Sequence, residues 1–226
     1  MLARTDDETA RTYPDTISAA GEVELVERKS RFIARVEPVG SLADAEAVIA
    51  AARRRWWDAR HHCSAMVLGL QADTARSSDD GEPSGTAGVP MLEVLRRRGL
   101  TDVVAVVSRY FGGVKLGAGG LVRAYSTAVS QALDGTRVLH RRALVQASVD
   151  VSHAESGRFD NLLREWAQRS GAVLGETAYG ADARLEVWTP PDLVASLRET
   201  VAAASGGTVE PRLGEQRVTE VPAASP

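Results

Sequence analysis

The chain has 226 residues, 44% of them hydrophobic and 25% charged, with a net charge of −3, an ordinary balance for a globular protein. Its length suits one large core or two small ones, and no apolar run approaches the ~18 residues of a membrane span. The opening MLARTDDETARTYPD lacks the apolar segment of a secretory signal, which points to a cytoplasmic protein, and the single cysteine, Cys63, excludes an internal disulfide and a cysteine-built zinc centre.

Charge is unevenly spread. Residues 1–142 hold 20 Lys/Arg against 18 Asp/Glu (+2), and residues 143–226 hold 7 against 12 (−5). This argues against wholesale coating of DNA but permits a local anion site in the first part.

Residues 1–20 are polar at their start and expected to be flexible. Alternation predicts strands from Val23 to Glu27 and from Arg31 to Val36. Ser41 suits an N-cap for a helix through Trp56, with Leu42, Ala45, Ile49, Ala52 and Trp56 on one face. A strand near Ser64 to Leu70 leads into the loop SDDGEPSGTAG. A short helix follows from Pro90 to a C-cap at Gly99. The run Val103–Val107 is too apolar for an edge strand, and a Gly-rich loop then enters a helix from about Gly119 to Leu133. Near Arg141-Arg142 the style changes. From Leu144 the pattern reads strand, helix, strand, strand, helix and a last strand around Val209, the βαββαβ order of a ferredoxin-like sandwich. The predicted class is therefore α+β, with domains at 21–140 and 143–219 and a loose tail at 220–226.

Four clusters carry chemical potential. The loop from Arg109 and Tyr110 through Gly112, Gly113, Lys115, Gly117, Gly119 and Gly120 lies between a buried strand and a helix start. Free N–H groups there, with Arg109, Lys115 and Arg123 nearby, suit a phosphate. Equally, glycines there permit a tight turn with close backbone packing. No nucleotide fingerprint is present, since Val122 stands where a third Gly or Ala belongs and no GK[ST] follows. Asp79, Asp80 and Glu82 put three carboxylates within four residues; turn formation or ion pairing outweighs metal binding for such a sequence. His61 and His62 precede Cys63 in a strand, with His61 and Cys63 on one face and His62 on the other. They are a candidate extension of the same groove, but too few ligands for a metal. Finally, Arg53-Arg54-Arg55-Trp56-Trp57 reads as a solvated helix end with Trp56 in the core, rather than a stacking platform for single strands.

The segments KSRFIA at Lys29, ARHHC at Ala59, SDDGEPSGTAGVPML at Ser78 and SRYFGGVKLGAGGLVRAYS at Ser108 resemble the YigZ/IMPACT family in its bacterial two-domain form, from about Glu22 to Val218. The resemblance implies a first domain similar to the second domain of ribosomal small-subunit protein five. It also implies a ferredoxin-like second domain similar to the last domains of translocating elongation factors. Its eukaryotic members, linked to control of translation initiation, use an extra N-terminal module that is expected to be absent here, since about twenty residues precede the first expected strand.

On this reading the chain is a non-enzymatic, RNA- or ribosome-associated regulator of translation. Asp79, Asp80, Glu82, Arg109, Tyr110, Lys115 and Arg123 would line its groove, with no catalytic residue, metal or cofactor. Two alternatives stay open: an enzyme acting on a phosphorylated small molecule or nucleotide, and a protein-interaction module.

Overall fold

The computed structural model describes residues 13–222; the expectations for residues 1–12 and 223–226 lie outside the described residues. Contacts divide the described chain into two compact units, residues 13–141 with 221–222, and residues 142–220.

The first unit opens with a strand in the stretch expected to be flexible. β1 (Thr16–Ile17) pairs with Val138 and Leu139 at the start of a later strand, and Asp15 is tied to Gly99 and Thr101 by main-chain hydrogen bonds. Ile17 is buried in the core, so this segment is anchored, not frayed. An antiparallel sheet follows from β2 (Gly21–Glu27), β3 (Ser30–Pro38), β4 (His61–Leu68), β5 (Thr74–Ser78) and β6 (Val103–Tyr110), ordered β2-β3-β6-β4-β5.

Central β6 explains the continuous valine run. Its side chains alternate between faces, and both faces are covered. Val103, Ala105 and Val107 enter the cluster shared with α2 (Gly88–Arg97) and α3 (Gly117–Asp134). Val104 and Val106 enter the cluster under α1 (Leu42–Arg55). Ser41 caps α1 as expected, its hydroxyl accepting from the Asp44 N–H at 3.1 Å.

The second unit follows the βαββαβ order: β7 (Val138–Val151, of which residues 142–151 lie in this unit), α4 (Ser156–Ser170), β8 (Val173–Tyr179), β9 (Ala183–Thr189), a 3-10 turn at Pro191–Leu193, α5 (Val194–Ser205) and β10 (Arg212–Pro222). Strands run β8-β9-β7, with β10 also on β7, the order of a ferredoxin-like sandwich. Ala147, Val149, Val151, Leu185 and Val187 pack against Phe159, Leu163, Trp166, Leu197 and Val201. The last strand lies beyond Val209, starting after Pro211 and running past residue 219 into the expected tail. No described helix is long and apolar enough to cross a membrane.

Candidate functional site

Glu82 and Arg109, expected to line a groove, instead face each other inside the first unit. The Arg109 Nη1 donates to Glu82 Oε1 at 2.5 Å, with the two side chains 7% and 4% exposed. Tyr125 of α3 donates its hydroxyl to the same carboxylate oxygen at 2.8 Å, and the Cys63 thiol lies 3.3 Å from that hydroxyl and 3.0 Å from the Asp79 carbonyl oxygen. The guanidinium of Arg109 also sits 5.2 Å from the Phe32 ring centre, and that ring meets Tyr125 edge-on. A buried charge is tolerable only when paired and hydrogen-bonded, and the Glu82 carboxylate supplies that pairing, while the Arg109 Nε is buried without a hydrogen-bond partner. Burial pushes the Cys63 thiol up to about 12 and the Tyr125 hydroxyl above its usual range, so neither is an available nucleophile or base near neutral pH.

The other two carboxylates of the acidic loop are also engaged internally. Asp79 accepts from the N–H groups of Gly85, Ala87 and Gly88 at 2.8, 3.0 and 2.8 Å, capping the start of α2 from nine residues upstream. Burial raises its carboxyl, but the three N–H donors outweigh that and hold it below the usual carboxylate range. Asp80, at a left-handed φ of 42°, takes the Arg53 guanidinium at 2.7 Å and the His62 N–H at 2.6 Å, while its carbonyl faces His61 Nδ1 at 2.8 Å. The acidic loop is therefore a brace joining α1, β4, α2 and β6. Among the described residues no group of three His, Cys, Asp or Glu has metal-holding proximity.

His62 Nδ1 lies 2.8 Å from the Ser108 hydroxyl, and burial holds its protonated form down; Asp80 opposes this, Arg53 and His61 add to it. The folded His62 therefore has a pKa below its unfolded value. Its stabilisation is complete above roughly pH 6.5 and declines as pH falls below that, because the unfolded chain takes up a proton that the folded one resists. Thermal unfolding between pH 7.5 and 5.5 is expected to show a larger fall in Tm for the wild type than for His62→Asn. Equal slopes for the two would refute this assignment.

The second loop differs in kind. Gly112 is required by packing: a Cβ there would lie 2.0 to 2.3 Å from the main chain of Lys29 and Ser30. Gly120 is likewise close to Leu116. Gly113 and Gly117 have left-handed φ values of 83° and 71°, and a Cβ at either would meet no atom within 4 Å, so their backbone is open to a ligand. At Gly119 a Cβ would come into ordinary contact with Arg123, whose Nη1 stands 3.6 Å away. The N-terminus of α3 carries neither a side-chain cap nor an acidic residue in its first turn.

Beside this loop stands the β2–β3 turn, whose Lys29 opens the segment KSRFIA but which no sequence signal marked as part of a site. Its two central residues, Arg28 and Lys29, both adopt left-handed φ (46° and 66°), the geometry of a tight hairpin turn that favours Asn and Gly. Between turn and helix lies a cleft of about 240 Å³ lined by Leu25, Glu27, Arg28, Leu116, Gly120, Arg123, Ala124 and Thr127. Phe111 is 44% exposed, whereas Tyr110 donates its hydroxyl to Asp58 at 2.7 Å and lies under Arg31.

The sequence-selected residues thus divide. Asp79, Asp80, Glu82, Arg109, His61 and His62 belong to the internal brace, Gly112 to packing and Tyr110 to a side-chain pair, while Gly120 both packs against Leu116 and lines the cleft. Lys115, Gly113, Gly117, Gly119 and Arg123 remain on the accessible side, joined by Glu27, Arg28 and Lys29. The signals for the turn were two consecutive cations between two alternating runs and the start of KSRFIA at Lys29, neither of which points to binding. Trp56 packs under α1, as expected, but Trp57 is 79% exposed.

Residues 28–133 match the family model described as the Impact N-terminal domain. Over 200 residues the chain is 40% identical to IMPACT family member YvyE of Bacillus subtilis, covering 88% of this chain and 90% of that protein. Over 195 residues it is 36% identical to IMPACT family member YigZ of Escherichia coli, covering 84% and 94%. A crystal structure described only as that of an hypothetical protein aligns with a TM-score of 0.57 at 33% identity, covering 91% of this chain and 99% of that one. Similarity of this depth along nearly the whole length of both named relatives means that the chain belongs to the IMPACT family.

Proposed function

We propose that the protein is a non-enzymatic, RNA- or ribosome-associated factor of the cytoplasm that acts on translation and holds RNA phosphates at the β2–β3 turn and the Gly-rich loop. One observation carries this reading. Arg28 and Arg123 line one cleft, Lys29 and Lys115 stand on the adjoining turn and loop, and none of the four has an acidic partner among the described residues; Arg54, Arg60, Arg76, Arg97 and Arg137 of the same unit are also without one, so it is the grouping of the four that distinguishes them. Unpaired cations beside an uncapped helix start and open glycines suit a phosphate chain. Exposed Phe111 offers a ring on which an unstacked base can lie.

The strained turn adds support. Two non-glycine residues in left-handed conformations cost stability, and such strain is retained where the side chains serve a purpose. Arg28→Asn/Lys29→Gly is therefore expected to raise stability by roughly 0.5–1 kcal/mol in urea unfolding. The same variant should bind single-stranded RNA more weakly.

The direct test is RNA affinity as a function of salt. Combining Arg28→Ala, Lys115→Ala and Arg123→Ala should lower affinity on the order of 10-fold or more at low salt and reduce the salt slope by about 2, at roughly 0.7 per phosphate contact. Arg97→Ala, on another part of the same unit, serves as the control. Unchanged affinity and slope in the triple variant would defeat the proposal, as would failure of the wild type to bind RNA or ribosomes at low salt.

A further inference from the structure

We propose that the cleft between the β2–β3 turn and α3 holds one ribonucleotide unit, with its phosphate on Arg28 and Arg123 and its ribose hydroxyl on Glu27. This rests on the RNA-binding reading above and sharpens it, from a cationic surface to a site that distinguishes ribose from deoxyribose.

The lining has the composition that such a unit requires. Two guanidinium groups, Arg28 and Arg123, flank it from opposite elements, and neither has an acidic partner among the described residues. Planar guanidinium groups match phosphate oxygens in a way that a single ammonium does not. Glu27 lies in the same lining, adjacent in sequence to Arg28 yet with no ion pair or hydrogen bond from its side chain to it or to any other described residue. A purely phosphate-binding cleft gains nothing from a free carboxylate, which would repel the ligand. A carboxylate beside two phosphate-binding arginines is useful when the ligand also presents a hydroxyl donor, and the ribose 2′-OH is that group. The Thr127 hydroxyl, also without a partner among the described residues, offers a second polar contact, and Leu25 and Leu116 supply an apolar wall. At about 240 Å³ the cleft offers room of the order of a single unit.

Fluorescence anisotropy with labelled single strands of identical mixed sequence, about twelve nucleotides long, in ribo and deoxyribo forms tests this. The wild type should favour the ribo form about 10-fold, the effect of one hydrogen bond to a charged group. Glu27→Gln should shrink that ratio, and Glu27→Ala should bring it close to one while leaving deoxyribo affinity equal or slightly improved. Arg123→Ala should weaken both forms together. Adenosine monophosphate in competition distinguishes the source: displacement that needs Arg28, Arg123 and Glu27 makes a free nucleotide the occupant of the same chemistry, and no displacement makes it a unit within a chain. Equal wild-type affinity for the two forms, or a ratio untouched by Glu27→Ala, overturns this inference while leaving phosphate binding intact. Absence of binding to either strand and to the mononucleotide overturns both.

Discussion

Glu82→Ala should destabilise the first unit by about 3–5 kcal/mol, the range for removing one partner of a buried ion pair. The loss comes chiefly from Arg109, left charged with 7% of its side chain exposed and no carboxylate to meet it. Tyr125 simultaneously loses the acceptor for its hydroxyl. Urea unfolding followed by tryptophan fluorescence would measure the effect. Glu82→Gln, which keeps an acceptor oxygen for both donors but not the charge, should fall between alanine and wild type. Removing both charges with Glu82→Ala/Arg109→Ala should cost less than the two single losses added, with a coupling of about 1–3 kcal/mol. A single-variant loss under about 1 kcal/mol, or strict additivity, would mean that the pair is not what holds the acidic loop to β6. Because neither residue faces the cleft, any change in RNA affinity in a folded Glu82 variant would have to arise through displacement of the loops.

Gly112→Ala should be the most damaging of the glycine substitutions in the second loop, at about 3 kcal/mol or more, at or beyond the upper end for ordinary overpacking. The added methyl would meet main-chain atoms of Lys29 and Ser30 at 2.0 to 2.3 Å, and backbone cannot step aside as the end of a side chain can. Relief requires the β2–β3 turn to move away from the loop, which also breaks the bond from the Gly112 N–H to the Ser30 hydroxyl at 3.2 Å. The variant should therefore lose RNA binding along with stability, since Arg28 and Lys29 ride on that turn. Gly113→Ala is the matched comparison. It meets no atom within 4 Å but must hold a φ of 83°, a cost of roughly 1–2 kcal/mol. If the two substitutions prove equally mild by thermal unfolding, the close approach of turn and loop is not real in solution.

Much of the framework was legible in the chain itself because its signals are local. The β6 valines, the Ser41 cap and the 3.6-residue stripe of α3 each follow from backbone geometry and the need to bury apolar side chains. The βαββαβ order after residue 142 was readable for the same reason. The elements missed or misplaced were very short or largely exposed strands. β5 (TARSS) was missed, and β10 (RLGEQRVTEVP), expected around Val209, lies further along the chain; both are largely exposed strands with no hydrophobic alternation to place them. β1 is two residues long, too short for any period.

By itself the sequence determined the family, the α+β class and the position of both loops, because long ordered motifs and alternating apolar runs survive without a third dimension. Which charges are spent inside the fold and which remain for a ligand was decided only by tertiary structure. Asp79, Asp80, Glu82 and Arg109 look on paper as available as Lys115 and Arg123. They differ because antiparallel pairing of β4 with β6 brings residues 61–62 and 108–109 together, and the acidic loop then closes over them. Arg28 and Lys29 carried no sign of a binding role, although the segment KSRFIA begins at Lys29, and only the approach of their turn to Gly112 and α3 makes them part of a site. Charge pairing is a long-range property of the folded chain, since a few ångströms between residues dozens of positions apart settle whether a cation neutralises a neighbour or waits for a partner.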